Sequence, residues 1–71
     1  MIENKFSLGE EVFYFDVEEE KIESGAVRYI WLDENGVINY GIALKRAICE
    51  NAAFRSHEEC ASYYASLFAT L

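Results

Sequence analysis

The stretch "VRYIWLDENGVINYGIAL", residues 27 to 44, carries the strongest structural signal in the chain. Two β-rich apolar runs flank Asn35-Gly36, a dipeptide favoured by type I′ turns because both of their central residues need positive φ. The spacing predicts an antiparallel hairpin turning at Asn35-Gly36. On its second strand Ile38, Tyr40, Ile42 and Leu44 alternate with Val37, Asn39, Gly41 and Ala43, so the first set is expected to face the core. On its first strand Arg28, Ile30 and Leu32 alternate with Val27, Tyr29 and Trp31, and neither set is polar.

On the amino-terminal side, "SLGEEVFYFDV" places Gly9 before a second β-rich run. Residues 11 to 17 read as a strand with Val12 and Tyr14 on one face and Phe13, Phe15 and Val17 on the other. "EEEK" at 18 to 21 reads as an exposed loop, and Ser24-Gly25 marks a turn or bulge before the hairpin. After Leu44, "KRAICENAAF" reads as a loop with a short closing strand near residues 52 to 55, with a helical turn as the alternative. Ser56 followed by Glu59 is a capping box, which satisfies free backbone N–H groups at a helix start. Beyond it Cys60, Ala61, Tyr64, Leu67, Phe68 and Leu71 recur at helical spacing, predicting a helix over about residues 57 to 70.

The expected fold is mostly β with one C-terminal α-helix: a small, partly open barrel of four or five antiparallel strands. The helix would cap one end or cover an edge. Seventy-one residues with no proline, no linker composition and no internal repeat are read as a single domain, 1 to 71. A chain of that length buries only about 60% of its unfolded surface, so its core is small.

The pattern "LGEEVFYFD" followed by "IESGAVRYI" resembles the opening of small SH3-like (Src-homology-3-like) barrels of the KOW and Tudor type, over residues 8 to 44. In those, an apolar residue, a glycine and an acid precede the first strand, and a second glycine followed by Val opens the next. The resemblance implies an SH3-like barrel and a habit of binding on a small β surface. This chain departs from it in lacking the basic loop of a nucleic-acid-binding KOW module and an evident Tudor aromatic cage.

Net charge is -7, and it is concentrated. Residues 1 to 23 hold eight acidic side chains against Lys5 and Lys21, while the rest holds five against Arg28, Lys45, Arg46 and Arg55. Such a field repels a phosphate backbone, so nucleic acid is not an expected partner. The start "MIENKF" has neither a basic nor an apolar leader segment, and no apolar run reaches membrane-spanning length, so cytoplasmic residence without a membrane association is expected. In that compartment Cys49 and Cys60 are expected as reduced, small hydrophobic residues.

Little in the sequence suggests catalysis. His57, the sole histidine, falls in the first turn of the predicted helix, where a positive ring opposes the dipole. Cys49, His57 and Cys60 match no common zinc spacing, and Asp16 with Glu18, Glu19 and Glu20 lacks the alternating ligands and central glycine of a calcium loop. No phosphate loop or nucleophile elbow occurs. The expectation is a non-enzyme with no cofactor and no metal.

The eleven aromatic residues are the unusual feature, since each encloses about 150 to 250 Å² when fully buried. Tyr14, Tyr40, Tyr64 and Phe68 are expected in the core by their faces. Phe13, Phe15, Tyr29 and Trp31 then share the second face of two adjacent strands. Two readings stay open: the helix covers that face, or a bulge at Gly25 changes which residues point inward; alternatively the face is an exposed protein-binding patch. On the second reading Phe13, Phe15, Tyr29 and Trp31 bind another protein or a second copy as a homodimer, with Glu18, Glu19 and Glu20 steering basic partners. A reading from another class is an acidic inhibitor or nucleic-acid mimic, of the kind small phage and mobile-element proteins supply, acting on a basic target.

Overall fold

The computed structural model describes residues 4–42 and 46–69. The expected inward position of Leu44 and the helical position of Leu71 lie outside the described residues. Four strands, β1 (Glu11–Asp16), β2 (Lys21–Leu32), β3 (Ile38–Ile42) and β4 (Arg46–Cys49), pair antiparallel in the order β1-β2-β3-β4. A one-turn 3-10 helix follows at Glu50–Ala52, and α1 spans His57–Ala69. Between them Phe54 returns to β1, exchanging two backbone hydrogen bonds of 2.8 Å with Phe13. The sheet therefore curls into a half-barrel, a small partly open barrel with one C-terminal helix.

The hairpin forms as expected, but its turn is of another kind. Gly36 adopts φ +79° while Asn35 does not enter the left-handed region, so the two-residue type I′ turn is absent. Instead Gly36 N–H donates to Asp33 O at 3.0 Å and Asp33 N–H donates to Val37 O at 3.0 Å, a three-residue loop ending in a left-handed glycine. The reason is Asp33. Its carboxylate accepts N–H bonds from Asn35 and Val37 and an amide bond from Asn39, which stabilises the longer loop.

Strand β2 differs most from expectation. Ser24-Gly25 is no turn, because β2 runs unbroken from Lys21 and pairs with β1 and then β3. Gly25 is required by a close approach: a Cβ there would collide with Cγ2 of Ile42. The bulge lies further on, between Val27 and Tyr29, with Arg28 as the extra residue. It reverses the phase of the strand. Val27 points inward before it and Ile30 after it, which leaves Tyr29 and Trp31 outside.

The core gathers Phe6, Val12, Tyr14, Val27, Tyr40, Ile42 and Ala53, with Ile30, Ile38 and Ile48 packed against it. The inward set Ile38, Tyr40 and Ile42 is the one the alternation predicted. Phe6 enters from the amino-terminal segment, edge-on to Tyr40 with ring centroids 5.4 Å apart. The Tyr40 hydroxyl accepts N–H bonds from Lys5 and Phe6 and donates to Glu50 Oε2 at 2.6 Å, so the buried phenol ties that segment to the 3-10 turn.

Residues 45 to 55 were expected as a loop with a closing strand or a helical turn. All but the first of these are described: a real four-residue strand, a single 3-10 turn and a one-residue bridge at Phe54. Strand β4 is too short to show periodicity. Its place is fixed by Ile48, which packs on the core, and by Arg46, whose guanidinium reaches Asp16 at 2.9 Å and lies over the Tyr14 ring. Asp16 is 4% exposed and also accepts the Glu18 and Glu19 N–H groups, closing the turn between β1 and β2.

Helix α1 begins where the capping box placed it, with Glu59 N–H donating to the Ser56 hydroxyl at 3.0 Å. It lies on the outer face of the barrel, against β1 and β2. Two expected core members are thereby displaced. Tyr64 is half-buried in a second aromatic layer with Phe15 and Phe54, and Phe68, next to Phe15, is 53% exposed. The barrel interior is already filled by Phe6 and Tyr40, so the helix packs outside it.

Candidate functional site

Phe13, Phe15, Tyr29 and Trp31 all point away from the barrel interior, yet they have separate surroundings. Phe13 pairs with Phe54 in the bridge, and Phe15 stacks on Tyr64 with centroids 5.0 Å apart. Both are half-buried, Phe15 against α1. Tyr29 and Trp31, beyond the bulge, remain 69% and 41% exposed. Helix α1 thus packs on Phe15, Phe13 lies beside the Phe54 bridge, and Tyr29 and Trp31 stay open.

The open pair is built by the β2–β3 ladder. Tyr29 stands opposite Gly41 and Trp31 opposite Asn39, so all four share one outer face. Both rings lean into the space above Gly41: a Cβ there would come to 3.0 Å from Tyr29 Cδ2 and 3.2 Å from Trp31 Cζ3. Gly41 leaves room for both rings to close over its backbone, as a two-ring platform. Across β4, Ala47 and Cys49 continue the same face with small side chains.

The charge around the platform is mixed. Arg28 is exposed next to Tyr29 and makes no ion pair among the described residues. At the hairpin tip, Asp33 is held below the usual carboxylate range by the Val37 N–H, then by the Asn39 amide and the Asn35 N–H. Glu34 beside it is exposed and makes no ion pair among the described residues. Glu18, Glu19 and Glu20 are exposed too, with Glu20 at φ 54°, but they sit at the start of β2. Ten residues of strand, about 30 Å, separate that loop from Trp31.

Sequence reasoning missed Gly41, Arg28 and Leu32, which is 48% exposed beside Trp31. A glycine inside an otherwise β-branched and aromatic strand was the available signal for Gly41, since such a position often marks a close approach. Nothing local distinguishes Arg28 as a bulge.

Elsewhere, a shallow cleft of about 320 Å³ opens between Tyr14, Asp16, Ser24, Ile42 and Arg46. Its principal charged groups, Asp16 and Arg46, are already committed to each other. His57 is exposed at the first residue of α1. Both cysteines are free thiols, and burial, then the Glu59 charge, pushes the Cys60 thiol up, away from the reactive thiolate. Among the described residues no cluster of His, Cys, Asp and Glu is arranged to hold a metal ion, and no helix is long and apolar enough to cross a membrane.

The chain has been compared with family models, curated proteins and solved structures. None of the three gives a match.

Proposed function

We propose that this domain is a non-enzymatic binding module whose contact surface is the outer face of β2 and β3 around Tyr29 and Trp31. The observation that carries the reading is the two-ring platform over Gly41, an uncovered aromatic pair on a rigid sheet. Aromatic anchors of this kind dominate protein–protein contacts because they remove large area from water at little conformational cost. Phe13 and Phe15 then act as the seat of α1 rather than as contact residues, and the glutamates at 18 to 20 act at a distance by steering. The resemblance of residues 8 to 44 to SH3-like barrels fits, since Gly9 and Glu10 precede β1 and barrels of that kind bind on a small β surface.

The test replaces Tyr29 with the photo-cross-linking residue p-benzoylphenylalanine and identifies what is captured. A specific adduct that disappears on Trp31→Ala, with the circular dichroism spectrum unchanged, supports the reading. Loss of the folded spectrum in Tyr29→Ala/Trp31→Ala would show that the rings belong to the core and end it.

A second reading, the acidic inhibitor or nucleic-acid mimic, rests on Glu18, Glu19 and Glu20, exposed together and free of ion pairs among the described residues. Salt separates the two. Mimicry weakens steeply as ionic strength rises, whereas an aromatic-anchored contact changes little.

A further inference from the structure

Strand β2 pairs with β1 through residues Lys21 to Ala26 and with β3 from Val27 onward, so its later half has a neighbour on one side only among the described residues. The hydrogen-bond phase shows what the other side presents. Asp33 N–H donates to Val37 O, and bonded pairs alternate along an antiparallel ladder, so Trp31/Asn39 and Tyr29/Gly41 are the bonded pairs that follow. Ile30 and Leu32 must therefore direct their N–H and C=O groups to the opposite edge. Val27 fits the same phase, since it bonds across that edge to Gly9 and Glu10. Past Val27 the edge is, among the described residues, a row of unpaired backbone donors and acceptors flanked by exposed Arg28, Tyr29, Trp31 and Leu32.

This edge is complementary to itself. An antiparallel partner centred on Ile30 places Ile30 opposite Ile30 as a bonded pair, so a two-fold axis can pass between them. Residues 28 and 32 then face each other across the axis, and so do 29 and 31. On the outer face each Tyr29 meets the Trp31 of the other copy in a close, non-bonded pair, the arrangement in which cross-strand aromatics interact best. Charge agrees as well: Arg28 of each copy arrives beside the hairpin tip of the other, which carries Glu34, and both are exposed and without an ion pair among the described residues.

Resting on the binding-module reading, we infer that the occupant of this surface is a second copy of the chain. It joins β2 to β2 about a two-fold axis at Ile30, giving a continuous six-stranded sheet in the order β4-β3-β2-β2-β3-β4. The pairing protects an edge that a monomer leaves open to unspecific strand addition. The register distinguishes it from a generic hydrophobic contact, because it needs backbone groups at 30 and 32 and opposite charges at 28 and 34.

Sedimentation velocity over about 5 to 500 µM protein reads the assembly directly. The expected result is a concentration-dependent dimer, monomeric in Leu32→Pro, which removes an edge N–H without touching the β2–β3 ladder. Arg28→Glu is expected to raise the dimer dissociation constant at least about tenfold by setting like charges against the other hairpin. Adding Glu34→Arg to it restores association. If Leu32→Pro fails to fold, the exposed Arg28→Glu exchange and its restoration decide alone. A monomer throughout, or a dimer indifferent to Arg28→Glu, overturns the pairing. In that event the cross-linker at position 29 separates the two ideas: capture of a different chain keeps the binding module, and no capture removes both.

Discussion

Gly41 lies across the ladder from Tyr29, and the space a side chain would need there is taken by the rings of Tyr29 and Trp31. A backbone position without a side chain thus shapes an exposed aromatic surface. Gly41→Val should lift both rings from the sheet. Because the rings face solvent they can move, and a β-branched residue suits a strand, so unfolding stability should change by less than about 1 kcal/mol. Trp31 fluorescence should shift to the red, and association should fall at least about tenfold. Urea titration, emission spectra and sedimentation of one variant check all three, and unchanged association would exclude the platform from binding.

At Gly25 the same kind of change has the opposite character. The atom in the way is Cγ2 of Ile42, inside the core, so Gly25→Ala is expected to cost about 1–3 kcal/mol as overpacking. Adding Ile42→Ala should cost less than the sum of the two single changes, because the collision is then gone. Additive urea midpoints would locate the damage elsewhere.

Tyr40→Phe removes the hydroxyl that receives Lys5 N–H and Phe6 N–H and donates to Glu50. An expected loss of about 1–3 kcal/mol reflects buried groups left without partners. The amino-terminal segment, held by Phe6 and this bond, should become the first site of proteolysis. Burial, then the Glu50 hydrogen bond, raises the Tyr40 phenol above its ordinary value of 10.0. A raised value contributes stability that is complete below pH 10.0 and is lost as pH climbs through the folded value, so the wild type should weaken in strong base by a component that Tyr40→Phe lacks.

Acid should act through Asp33 and Glu50. Both carboxyls are lowered, Asp33 from 3.8 mainly by Val37 N–H and Glu50 from 4.5 mainly by the Tyr40 hydroxyl and then Lys5 N–H. Lowered values contribute stability that is complete above the unfolded values and fades as pH falls through the folded ones. The stability curve should therefore drop below about pH 4.5, and Asp33→Asn with Glu50→Gln should flatten that drop. An identical acid limb in the double variant would assign the transition to other carboxylates.

Much of this molecule is written locally. Alternation at Ile38, Tyr40 and Ile42, the glycine at 36 and the Ser56 cap each act within a few residues, through side-chain period, positive φ and one hydroxyl bond. Their elements form where the sequence placed them. Tyr29 and Trp31 were legible as surplus aromatics on a shared second face for the same reason, since a period of two states which residues share a face but not whether that face is covered.

Tertiary contact decided the rest, because a shared face does not say what will cover it. The bulge at Arg28 reverses β2 only because Gly9 and Glu10, just before β1, bond Val27 on one side while β3 holds Tyr29 on the other. Strand β4 exists because Ile48 packs on the core and Arg46 reaches a buried Asp16 thirty residues away. Helix α1 lands on Phe15 and Phe54 because Phe6 and Tyr40 already fill the interior. The seat of that helix on Phe15, and the bridge of Phe13 to Phe54, separate those two rings from the open pair, a matter of volume and position that no local pattern encodes.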